Sequence, residues 1–171
     1  MKNFTVLLVF VLSGLMQSYA QEGLLSPKKP HYEISFDALG FSMGRGLSLS
    51  VDKLLNASES VGMQASFYSG DWGLGFHYKH FFSPNYARGF YTQIGLTNHL
   101  TNHYYYNPNQ YYSKKEYTLG FDFNLGYKLV SKRNFMIDCY SGFSQNLIGN
   151  YNPSQNTRLN FHYGIRIGKR F

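Results

Sequence analysis

The chain has 171 residues, room for one domain, and carries 16 Lys and Arg against 9 Asp and Glu, a formal net charge of +7. Sixteen tyrosines, 15 phenylalanines and 17 glycines coexist with a negative mean hydropathy, a poor match to a soluble core built on Leu, Ile and Val. A single cysteine, Cys139, rules out an internal disulfide, and no Lys/Arg run exceeds two residues, which argues against nucleic acid as a partner.

In chain order, residues 1–20 read as a signal peptide: Lys2 is followed by the short apolar run FTVLLVFVL and by Ser18-Tyr19-Ala20, with small residues at the two cleavage-determining positions. That run is too short to span a bilayer as a helix. Directly after Ala20 stands Gln21 rather than a cysteine, so a lipid anchor is not expected. Cleavage would leave a net charge of +6, for which anionic lipid or sugar-phosphate head groups are a better partner in an exported protein than nucleic acid. Residues 21–30 form a short segment assigned to the periplasm, and 31–171 the folded domain.

From Tyr32 onward the hydrophobic period is two, and no stretch reads as an amphipathic helix. Eight strands are predicted, at 32–41, 46–53, 60–69, 73–82, 88–98, 116–130, 134–147 and 158–171. The clearest is the sixth, EYTLGFDFNLGYKLV. Tyr117, Leu119, Phe121, Phe123, Leu125, Tyr127 and Leu129 fill one face, and Thr118, Gly120, Asp122, Asn124, Gly126 and Lys128 the other. The eighth repeats this, with Phe161, Tyr163, Ile165, Ile167 and Phe171 against His162, Gly164, Arg166, Gly168 and Arg170. VSKRN and FSPNYA are short connections, whereas 99–115 and 148–157 read as long loops. The expected architecture is an all-β, eight-stranded antiparallel up-and-down transmembrane β-barrel with unlike ends.

Alternation alone does not say which face is oily. The polar face carries Gly, Ser, Asn and full charges, which suit a narrow lumen and not lipid. The apolar face is aromatic toward the strand ends, with Phe82, Phe90, Tyr127, Phe135 and Phe171 at one end. Phe67, Trp72, Tyr117, Phe143 and Phe161 lie at the other. Two such belts suit two membrane interfaces. Phe171, preceded by apolar residues at alternate positions, resembles the C-terminal signal that outer-membrane proteins present to barrel-insertion machinery.

The stretches YEISFDALGF, SPNYARGFY, LGYKLVSKRNF and GIRIGKRF resemble a family of small Gram-negative outer-membrane β-barrels of unknown function, with the general architecture of the OmpA and OmpX barrels. The resemblance implies a cell outer-membrane location, contact with outer-membrane lipid and lipopolysaccharide, and passage through the insertion machinery. It carries no catalytic motif. The expected role is structural or in cell-surface interaction, as a monomer, with no nucleic-acid partner and no cofactor.

Pairing the first strand with the eighth would set inward Glu33 and Asp37 beside Arg170 and Arg166. Lys128 with Asp138 and Asp52 with Lys79 are further expected pairs, a structural lumen network rather than an ion path, since buried charges persist only when matched. His99 and His103, four apart in the 99–115 loop, lack the three or four converging ligands a metal needs. Inward His77 and His162 would serve a lipid-modifying enzyme only with Ser66 or Ser144 and an acid in reach, and no motif links them. The other alternative is a soluble periplasmic barrel with an apolar ligand in its interior. Tyr104, Tyr105, Tyr106, Tyr111 and Tyr112 make the 99–115 loop the candidate contact surface, for sugars or proteins or as a belt extension among lipopolysaccharide head groups.

Overall fold

The structure, a computed structural model, describes residues 32–44, 46–68, 71–83, 86–107, 110–148 and 159–171. The expected signal peptide, the 21–30 segment and most of the 148–157 loop lie outside the described residues. Eight strands form the fold: β1 (Tyr32–Asp37), β2 (Leu47–Leu54), β3 (Glu59–Tyr68), β4 (Asp71–Phe81), β5 (Gly89–Asn107), β6 (Gln110–Val130), β7 (Phe135–Ile148) and β8 (Leu159–Arg170). One short helix, α1 (Ala38–Ser42), follows β1. Each strand pairs antiparallel with its neighbour in the chain, and β1 pairs with β8 from Glu33↔Arg170 to Asp37↔Arg166, closing the barrel.

Two boundaries depart from the sequence expectation. The alternation carries β1 to residue 41, yet the strand ends at Asp37, whose Oδ1 accepts a hydrogen bond from the Gly40 amide at 2.8 Å. That carboxylate caps α1, and Gly44 and Gly46, at φ +69° and +92°, turn the chain into β2. The expected 99–115 loop is instead hairpin: β5 and β6 stay paired from Thr101↔Glu116 to Asn107↔Gln110. A polar composition pointed to a loop, but Tyr and Thr favour extended backbone, and a ribbon beyond the barrel needs no oily face.

The barrel is polar inside and oily outside. Buried positions include Glu33, Asp52, Lys79, Lys128, Asp138 and Arg166, while Ile34, Phe36, Phe76, Leu125, Ile137 and Ile167 are exposed. The apolar core found among the described residues is small: Leu54, Phe81, Ala87 and Tyr91, under the turn that joins β4 to β5. Eight strands enclose a lumen only wide enough for side chains, so large inward residues need small neighbours. Gly126 lies opposite Tyr91 and Gly164 opposite Tyr140, and a Cβ at either glycine would run into the tyrosine ring. Gly126→Ala should therefore cost about 1–3 kcal/mol by overpacking. Urea unfolding of the purified barrel, compared with the tolerant outward change Leu125→Ile, checks this.

Candidate functional site

The lumen has two layers. In the lower one, at the end of the short turns, three carboxylates hold four cations. Glu33 on β1 accepts from Lys128 Nζ on β6 at 2.6 Å and from Arg170 on β8 at 2.8 Å (Nε) and 2.5 Å (Nη2). Arg170 also donates to the carbonyls of Tyr86 and Ala87, at 3.0 and 2.7 Å, drawing the β4–β5 turn across the barrel mouth. Asp52 on β2 accepts from Lys79 at 3.1 Å, from Ser50 at 3.2 Å, and bonds His77 Nε2 at 2.7 Å. Asp138 on β7 accepts from the Tyr91 hydroxyl at 2.7 Å, and its other oxygen lies 3.8 Å from both Lys79 Nζ and Arg166 Nη1. An attraction of roughly 4 kcal/mol per pair at that separation, for an effective dielectric near 20, is the size of the several kcal/mol lost on desolvating one ion. Asp138 needs both cations.

Tyr86 sits in the turn beneath this layer, where burial raises its hydroxyl above the usual phenol range and the Arg170 guanidinium opposes the shift.

The expected pairs Glu33–Arg170 and Asp52–Lys79 are both ion pairs in the structure. Asp37 and Arg166 are cross-strand neighbours, as are Lys128 and Asp138, but neither pair joins. Asp37 accepts from Gly40 and, at 2.9 Å, from the Tyr140 hydroxyl, while Lys128 turns across the lumen to Glu33. Arg166 lays its guanidinium over the Tyr140 ring, 4.1 Å from the centroid, and donates to the amide oxygens of Gln64 at 3.1 Å and Gln93 at 3.3 Å. The reason is reach. A lysine side chain is longer than the gap between strands, and in so narrow a tube Glu33, three strands from Lys128, is as accessible as Asp138 alongside, while Arg166 has its β7 neighbour Asp138 as its nearest carboxylate.

Above Arg166 lies a polar cavity of about 260 Å³, walled by Gln64, Gln93, His77, Asp122, Asn124 and His162 and reaching the level of His99 and Ser144. His162 Nε2 bonds Asn124 Oδ1 at 2.6 Å, and Thr97 hydrogen-bonds Asp122. Sequence reasoning did not single out Tyr91, Tyr140 or Gln93 as lumen groups. The signal was present in the inward glycines: Gly126 and Gly164 sit where a neighbouring strand carries an inward Tyr. His99 is strand, not loop; it belongs to β5 opposite Thr118, at the exposed mouth. The backbone of Tyr104, Tyr105, Tyr106, Tyr111 and Tyr112 lies in the hairpin, with Tyr105 opposite Tyr112 and Tyr106 opposite Tyr111.

Chemically, the lumen shows held charge and hydrogen-bonding groups. His77 is engaged by Asp52 and His162 by Asn124, and neither ring bonds a serine hydroxyl among the described residues. No cluster of three or more His, Cys, Asp or Glu able to hold a metal occurs among the described residues. What fold and lumen together define is a small closed β-barrel, ionic within and apolar without. The chain matches no protein-family model, no curated protein and no solved structure.

Among the described residues, Glu33 holds two cations that have no other carboxylate in hydrogen-bond contact, whereas Asp37 holds none. Glu33→Ala should therefore cost about 3–5 kcal/mol, the penalty of stranding buried charge. Asp37→Ala should cost only about 1–2 kcal/mol, from a lost helix cap and one hydrogen bond. Paired urea titrations of the two variants check the order, and equal losses would show that Asp37 carries charge the geometry does not give it.

Proposed function

We propose that the protein is an integral outer-membrane β-barrel whose role is structural or in surface interaction, with the long β5–β6 hairpin as its contact element. The observation that carries this is the spacing of the outer rings. Trp72 and Phe82 on and just past β4, Tyr117 and Tyr127 on β6, and Phe161 and Phe171 at β8 are each ten residues apart and outward-facing. Ten residues at ~3.3 Å, tilted by ~40°, give a height of roughly 25 Å, close to the apolar band of about 25 Å expected of outer-membrane barrels. Between the rings the outer wall is mostly Ile, Leu, Val, Phe and Met, interrupted by Cys139 and Ser141, and Phe161 in its ring is 81% exposed. A monomeric barrel in water has no reason to expose so continuous an oily surface.

Several further features fit. Closing the sheet pairs strand edges that hydrocarbon would leave unsatisfied. Lys53 and Lys169 face outward at the short-turn end, Lys169 Nζ lying 5.4 Å from the Phe171 ring centre, where a lysine reaches head groups while its stem stays in the apolar band. The resemblance of the sequence to small Gram-negative barrels agrees, and with it go assembly by the insertion machinery and contact with lipopolysaccharide. The reading of a soluble barrel around an apolar ligand meets a lumen lined by Glu33, Asp52, Lys79 and Arg166.

The test uses Trp72, the single tryptophan, which is outward at one ring. In vesicles of the folded protein its emission should be quenched strongly by phospholipids brominated near the head group and weakly by those brominated at the chain end. The unboiled protein should also migrate apart from the boiled form in SDS. Unquenched Trp72 in a protein that washes off membranes with carbonate would refute membrane insertion.

A further inference from the structure

The cavity above Arg166 has a carboxylate of its own, and the neighbouring strands leave room around it. Asp122 on β6 stands between Gly95 on β5 and Ser144 on β7. Lower in the lumen, cations take the place of such small neighbours. Glu33 has Arg170 beside it on β8, and Asp138 lies between Lys128 on β6 and Arg166 on β8. Asp122 therefore faces volume where the others face charge. Across the cavity, Gly73 lets polar side chains lie flat against the wall: a Cβ there would meet His99 Nδ1 at 2.6 Å and Ser66 Oγ at 2.7 Å.

Asp122 is 8% exposed, and the bond that Thr97 gives it is neutral. Among the described residues no ion pair reaches it, whereas Glu33, Asp52 and Asp138 each have a cation. Arg166 forms the cavity floor, but Asp138, Gln64 and Gln93 take up its guanidinium. His162 is engaged by Asn124, and His99 stands at the exposed mouth. An ionised carboxylate has about four lone-pair sites, so one hydroxyl leaves most of its capacity unused. A buried anion without a cation is costly, and a charged donor offsets that cost. At about 260 Å³ the space is below the range of roughly 300–1,000 Å³ typical of drug-sized ligands. It suits a molecule of a few heavy atoms.

We propose that this cavity is a binding site for a compact primary ammonium, which enters through the mouth at the hairpin end. The ammonium donates to Asp122, and a hydroxyl of the same small molecule meets Ser66 or Ser144 on the facing walls. The site belongs to the lumen, so it goes beyond the membrane reading and stands or falls separately from it.

The probe is ethanolamine, added to the full folded chain in an uncharged detergent and an amine-free buffer, with binding read by saturation-transfer NMR. Ethylene glycol matches its size without the charge, and choline carries the charge without N–H donors. The expected result is stronger transfer to ethanolamine than to either. Asp122→Asn should raise the Kd for ethanolamine at least about tenfold, the loss of a charge-assisted hydrogen bond. Asp71→Asn, at the same end of the barrel but outside the cavity wall, should leave it unchanged. Ser144→Leu, which fills the cavity and keeps the carboxylate, should abolish the transfer. Asp122→Asn should also unfold in urea no earlier than the parent, because it removes a buried charge that no cation answers. Equal transfer to ethylene glycol, equal losses in the two Asp variants, or transfer that survives Ser144→Leu overturns the site. Transfer to choline as strong as to ethanolamine overturns recognition through N–H donors. Unfolding of Asp122→Asn as early as that of Glu33→Ala would show that Asp122 already holds a cation, and overturns the proposal as well.

Discussion

The molecule turns on Glu33. Its carboxylate joins Lys128 from β6 and Arg170 from β8, and Arg170 in turn holds the carbonyls of the β4–β5 turn. One side chain on a six-residue strand thus ties together β1, β6, β8 and a turn. Charge of this kind persists away from water only if every member finds an opposite charge or a hydrogen bond in fixed geometry. The narrowness of eight strands supplies that geometry. Lys79 and Asp138 are fully buried because there is no room for solvent between them.

The ionic layer also explains where the rest of the interior went. With the short-turn half of the lumen filled by three carboxylates and four cations, further polar groups and the cavity above Arg166 lie in the other half. Arg166 sits at the boundary: 3.8 Å from Asp138 below it, bonded to Gln64 and Gln93, and stacked on Tyr140. The same half is where β1 stops. The strand that carries Glu33 need only be long enough to reach Asp37, and beyond that the wall is completed by a five-residue helix.

Much of this was legible in the residues. In β6 the alternation from Tyr117 to Leu129 runs without a miss, and it assigns inside and outside because Gly, Asp, Asn and Lys suit a narrow polar lumen that has no room for Phe and Leu. The Glu33–Arg170 pair was legible for a further reason, since closure sets the first and last strands side by side. The partners of Asp37, Arg166, Lys128 and Asp138 were not. A ladder fixes which backbones are adjacent, but a lysine of four methylenes crossing a tube this narrow is not bound to its neighbour. The hairpin beyond Thr101 was hidden by its polarity, because two strands paired only to each other need no buried face and leave no oily alternation to read.

The sequence by itself determined the class of the fold, the sidedness of its wall and the chemical inventory of its interior, because period two and the swap of small polar for large apolar residues are local properties of each strand. Only the tertiary structure decided which cation answers which carboxylate, where β1 yields to a helix, and that a cavity opens above Arg166. Those outcomes depend on distances across the lumen, and such distances exist only once eight strands have closed on one another.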